Sequence, residues 1–117
     1  MKTRFATRVL LIIVFISCLP GCESYSEALY SWGTYELQVY AHLKGESPLA
    51  QIQALERDRQ KIESSGKSIP PGFYAHLGLL YAETGDEVMA VECFLTERML
   101  FPESAVFIDF LLRRHSK

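Results

Sequence analysis

The sequence predicts an all-α fold of about five helices, packed as antiparallel pairs behind an apolar N-terminal leader. Three observations lead there. Apolar residues recur at three- and four-residue steps along most of the chain. There is neither convincing two-residue alternation nor a hairpin signal such as Asn-Gly. Helix-starting and helix-ending residues punctuate the chain at Ser47-Pro48, Gly66, Pro70-Pro71-Gly72, Gly85-Asp86 and Pro102. A length of 117 residues leaves room for one small domain and none for a cleft between two lobes. With 49% hydrophobic and 22% charged residues, the composition is that of a folded chain rather than a disordered one.

Residues 1–21, the first element, read as a signal peptide. Lys2, Arg4 and Arg8 make a basic start, Val9–Ile16 an apolar run, and small or turn-forming residues lead to Cys22. The run is too short for a bilayer, which takes about 20 residues in a helix. Leu19-Pro20-Gly21-Cys22 resembles the lipobox of bacterial lipoproteins, with Pro20 standing where Ala or Ser is usual. The resemblance implies cleavage between Gly21 and Cys22 and lipid on Cys22, because only a thiol takes a diacylglyceryl thioether. Cys18, behind bulky Phe15 and Ile16, is the poorer candidate. The mature chain is then expected to hold the membrane through its N-terminal lipid. Glu23 stands where inner-membrane retention usually needs Asp, so the outer membrane, on its periplasmic side, is the expected location. Cys93 would be the thiol that remains, with no intramolecular disulfide to form; between Glu92 and Phe94 it reads as a small core residue.

A chain beginning at Cys22 carries nine Lys and Arg against fourteen Asp and Glu, a net charge of −5. Such a body lacks the basic face that displaces counterions from phosphates, so no nucleic-acid partner is expected.

The helical domain is expected over 22–117. Leu29, Trp32, Tyr40 and Leu43, with Tyr35 and Val39 beside them, predict a first helix stopping at Gly45. Ser47 can cap a second helix and Pro48 suits its first turn. Leu49, Ile52, Leu55 and Ile62 make its apolar stripe, and Glu56, Arg57, Asp58, Arg59, Lys61 and Glu63 its solvated face. Gly66 ends that helix, and Pro70-Pro71-Gly72 redirects the chain.

From Pro71 to Ser104 the chain resembles a tetratricopeptide repeat. Tyr74, Leu77, Gly78 and Tyr81 carry the spacing of that motif's first helix, Gly85-Asp86 makes the turn, Ala90 and Phe94 fall where the second helix packs back, and Pro102 closes the unit. Gly78 and Ala90 let helices approach closely while Tyr and Phe fill the space around them. Glu97 departs from the pattern, standing where a small Ala is usual, and is expected to loosen packing onto the next unit. A capping helix over about 104–115 follows. The mature chain also resembles the small lipoprotein family called domain of unknown function 4810. The shared residues are Tyr30-Ser31-Trp32-Gly33-Thr34-Tyr35, Pro70-Pro71-Gly72, Leu77-Gly78, Leu80-Tyr81 with Gly85, Phe101 to Phe107 and Asp109-Phe110-Leu111. That resemblance implies an exported lipoprotein with no assigned enzymatic activity. It also implies other envelope lipoproteins as partners, among them one similar to the curli-secretion pore.

Residues for chemistry are sparse. His42, His76 and His115 share no metal-type spacing, no nucleophile, base and orienter can be assembled, and neither cofactor nor metal is expected. His76 could approach Glu83 or Asp86, and the concave face expected from Tyr74, His76 and Tyr81 discriminates two readings: a shallow apolar surface supports docking, and a deep pocket with converging polar groups supports the alternative of a small periplasmic ligand-binding or enzymatic protein. The favoured expectation is a helical protein–protein interaction module. In the capping helix six large apolar residues exceed one buried stripe. Ile108, Leu111 and Leu112 have the inward spacing, leaving Phe107 and Phe110 to face a partner. Tyr25, Tyr30, Trp32 and Tyr35 leave two readings open: core packing, or contact with a partner or lipid headgroups, with Trp32 and Tyr35 as candidates.

Overall fold

The computed structural model describes residues 28–115 together with Met1, Thr3 and Arg4. The expected processing residues Gly21 and Cys22, and Tyr25, lie outside the described residues. Five α-helices follow one another: α1 Tyr35–Leu43, α2 Pro48–Ser64, α3 Phe73–Glu83, α4 Glu87–Leu100 and α5 Ala105–His115, with a 3-10 turn at Pro102–Ser104 ahead of α5. Among the described residues the β-type pairing is one bridge, Tyr30 to Ser68. The fold is all-α.

Contacts at the two ends define the topology. At the first end, Tyr30 pairs with Ser68 beyond α2 and its ring lies 6.3 Å from that of Phe101 beyond α4. At the far end, His42 of α1 meets Glu83 of α3 at 3.6 Å, and His115 of α5 meets Glu87 of α4 at 3.3 Å. The helices therefore alternate in direction: α1, α3 and α5 run away from the first end, and α2 and α4 return to it.

Helix α3 lies centrally because its sequence is apolar on nearly every side, burying Phe73, Ala75, His76, Leu77, Gly78 and Leu80. Phe73, Leu77 and Leu80 pack with Ile52, Leu55, Ile62 and Cys93; Ala75 packs with Ala90, Phe94, Ile108 and Leu111. At the α3–α4 crossing, a Cβ on Gly78 would stand 2.6 Å from Phe94 Cε1 and 3.1 Å from the Ala90 carbonyl oxygen. Phe94 is fully buried and has nowhere to retreat. Asp86 starts α4 by accepting the Met89 N–H at 3.1 Å. Tyr74 and Tyr81 are half-buried at the rim of this core, and the exposed Pro102 opens the 3-10 turn.

Several sequence expectations need correction. The first helix begins at Tyr35, because Gly33 takes φ 51 and breaks the pattern after Trp32. The expected stripe is then the wrong one: Leu29, Trp32, Tyr40 and Leu43 are all exposed, and Ala41 is the buried residue of α1. Leu49 is exposed on the first turn of α2, and Ser47 makes no side-chain cap. The charged face of α2 is not wholly solvated either, since Asp58 is buried.

Replacing Gly78 by Leu is expected to lower stability by about 1–3 kcal/mol through overpacking, and Ala90→Leu to behave alike. Thermal unfolding of a chain starting at residue 23 measures both. Unchanged melting temperatures would show that the crossing can open without cost.

Candidate functional site

Helix α3 starts without a side-chain cap of its own, since the residue before it is Gly72 at φ 89. A helix leaves its first N–H groups without partners, and buried ones must be met from elsewhere. Glu97 meets them from α4. Its carboxylate accepts from the backbone N–H of Gly72 at 2.6 Å, Tyr74 at 3.2 Å and Ala75 at 3.3 Å, while the Phe73 N–H donates to the Pro70 carbonyl. Glu97 is 1% exposed and ties the two helices of its own unit together. Burial pushes its carboxyl above the usual carboxylate range and Glu103 adds to the rise; the three amide donors pull it back without cancelling.

Asp58 does the same for α1. It accepts both the N–H and the hydroxyl of Thr34, each at 2.6 Å. The acid lies 24 residues after the position it holds, against 25 from Gly72 to Glu97. Each helix pair thus carries an acid on its second helix that holds the start of its first. In each a left-handed glycine makes room: a Cβ on Gly33 would stand 2.8 Å from Asp58 Cγ, and one on Gly72 2.7 Å from the Tyr35 hydroxyl.

Tyr35 joins the two pairs. Its ring lies 5.7 Å from Phe73, 6.1 Å from His76 and 6.0 Å from Trp32, and burial followed by the charge of Glu97 raises its pKa. It is a packing residue, half-buried, while Trp32 stacks on it and stays 43% exposed.

His76 is buried beside Tyr35, with the His42 ring 5.3 Å away edge-on. Its Nε2 has no hydrogen-bond partner among the described residues. Burial, then His42, pulls its pKa down to about 4 against a hydrogen bond to the Gln38 backbone. The acids expected near it are engaged elsewhere, Glu83 with His42 and Asp86 at the start of α4. Tyr74 and His76 do not share a concave face, because residues two apart on a helix point about 200° apart. Tyr74 instead lines a small cleft of about 160 Å³ with Glu56, Arg59, Leu77 and Cys93. Polar groups there are already paired: Glu56 accepts from Arg59 Nε at 2.9 Å and from the Tyr81 hydroxyl at 3.0 Å. Burial pushes the Cys93 thiol up to about 12, so it stays protonated at neutral pH. Among the described residues no group of three His, Cys, Asp or Glu is placed to hold a metal ion, and no helix is long and apolar enough to cross a membrane.

The clearest open surface is on α5. Ile108 and Leu111 are buried against α3 and α4, whereas Phe107 is 52% and Phe110 46% exposed on the outward side, with Val106 next to them. Arg114 sits over the Phe110 ring at 5.7 Å, and Arg98 of α4 ties Asp109 at 3.0 Å. The aromatic pair is therefore carried on a helix fixed from behind.

The fold and its surface define a small all-helical domain of two cross-capped helix pairs closed by a fifth helix. The chain belongs to the family described as Domain of unknown function (DUF4810), which matches residues 29–111. No curated protein and no solved structure matches it.

The depressed His76 pKa gives a pH dependence with a definite sign. Unfolded, the imidazole takes a proton near 6.5; folded, it stays neutral down to about 4. The unfolded state therefore binds more protons between those values, and stability falls as pH falls through that window, by up to about 3 kcal/mol. His76→Gln is expected to flatten the decline. Chemical unfolding of both chains from pH 7 to pH 4 measures it, and parallel curves would show that His76 protonates freely in the folded state.

Proposed function

We propose that this chain is a lipid-anchored envelope protein acting as a helical docking module, held to the outer membrane at Cys22 and facing the periplasm. The observation that carries the docking role is the outward aromatic pair Phe107 and Phe110, half exposed on a helix that buries Ile108 and Leu111 on its other side. Large rings held on a fixed backbone lose little freedom on binding, which makes such pairs effective anchors in protein interfaces. The lipobox-like Leu19-Pro20-Gly21-Cys22 and the following Glu23 support the anchor and its location. The close crossing of α3 and α4 at Gly78 supports a tetratricopeptide-like unit over about 71–104, with α5 as its capping helix. Envelope lipoproteins, including one of the curli-secretion-pore type, are the partners suggested by the family resemblance. A ligand or catalytic site at His76 is the other reading; the buried ring and the engaged acids around it favour docking over that.

Changing Phe107 and Phe110 together to Gln should cost the folded domain no more than about 1 kcal/mol, as exposed substitutions do. It should also release the protein from envelope partners recovered by affinity purification from membranes. Unfolding of the double variant, or recovery of the same partners with it, would move the docking surface elsewhere.

A further inference from the structure

We infer that the end of the domain at which Leu29 enters it is a membrane-contact face, which rests on the headgroups of a phospholipid bilayer. The inference builds on the proposed lipid anchor and adds which surface the anchor presents. Seven residue steps lead from Cys22 to Leu29, and a fully extended chain of that length spans at most about 25 Å. Leu29 is itself fixed to the domain: its carbonyl accepts from the Ser68 N–H at 3.3 Å, and the Ser31 N–H donates to the Ser68 carbonyl at 3.0 Å. An anchor at Cys22 therefore tethers the domain by this end of the helices.

That end has the composition of an interfacial surface. Leu29 is 68% exposed, Leu100 47% and Trp32 43%. Leu29, Lys67 and Leu100 rim one open groove of about 400 Å³, and Lys61 and Lys67 line the neighbouring cleft. An indole combines apolar area with a polar tip, and lysines bury their stems while their ammonium groups reach phosphates, a pairing suited to the headgroup layer. Of the nearby acids, Asp58 is held by Thr34 and Glu63 is paired with Arg59 at 3.1 Å, while Glu36 on the first turn of α1 and Glu103 on the 3-10 turn are exposed carboxylates. The far end carries exposed Glu46, Glu83, Asp86 and Glu87 against exposed Lys44, Arg113 and Arg114, so it is nearly balanced.

Trp32 is the chain's one tryptophan and reads the face directly. The processed protein is reconstituted into vesicles of phosphatidylethanolamine and phosphatidylglycerol, brominated high on the acyl chains, and the vesicles are floated. The expected result is co-flotation, with Trp32 emission shifted to the blue and on the order of half its intensity quenched, as for an indole in the interface. Lys61→Glu with Lys67→Glu should still float but lose most of that quenching, because both lysines are exposed and outside the core. Flotation with unquenched Trp32 would overturn the inference while leaving the anchor intact. Failure to float would overturn the anchor instead. The face is then tested alone, using residues 23–117, which contain the whole core from Ala41 to Leu111, held by an N-terminal hexahistidine on nickel-chelating lipid in the same vesicles. Quenching there supports the face and its absence overturns it.

Discussion

The carboxylate of Glu97 against the start of α3 is the interaction on which the rest of the domain depends. Three backbone N–H groups at a buried helix start would each be costly to leave without acceptors, and Gly72 offers no side chain to meet them. One carboxylate from α4 takes all three, and the N-terminal end of the α3 dipole favours its charge. The cost is the desolvation of an acid, visible as its raised pKa. What this secures is position. With Gly72 held, the Tyr35 hydroxyl fits where a Cβ would otherwise be, and Tyr35 in turn packs on Phe73 and His76. The first helix pair is thereby seated on the second.

The same device in the first pair explains why the N-terminal segment is part of the domain. Asp58 holds Thr34, so α1 begins at a fixed point, and the bridge between Tyr30 and Ser68 extends that order back toward the chain's entry. Both acid-held helix starts lie at the end where Leu29 enters the domain, so the surface presented there is rigid. Side and end then serve different purposes in the proposed reading. The end of the bundle orients the domain on lipid, and the outward side of α5 remains open to another protein.

The parts of the fold that rest on shape were legible in the sequence. Gly78, Ala90 and Phe94 stand at fixed offsets because a close crossing admits only such residues, and the excess of apolar residues on α5 told that Phe107 and Phe110 would face outward. The parts that rest on polar contacts between distant residues were not. Asp58 and Glu97 sit among ordinary helical residues, and nothing in local spacing says that an acid will cap a helix more than twenty positions upstream. A signal did exist: α3 opens on Pro70-Pro71-Gly72, with no capping side chain, and Glu97 falls between Phe94 and Phe101 on an otherwise apolar face. A helix start without a cap and an acid without a reason are complementary. Leu29 and Trp32 misled for a different cause, since their three-residue spacing imitates a helix that Gly33 then interrupts.

Backbone hydrogen exchange at the start of α3 tests this account most directly. In Glu97→Ala, the amides of Gly72, Tyr74 and Ala75 lose their acceptor and should exchange at least about tenfold faster than in the unaltered protein, given the usual cost of such a loss. The Thr34 amide, held by Asp58, serves as the internal reference and should change far less. If the three α3 amides stay as protected as before, the helix start is held by something other than Glu97, and the cross-capped architecture is contradicted.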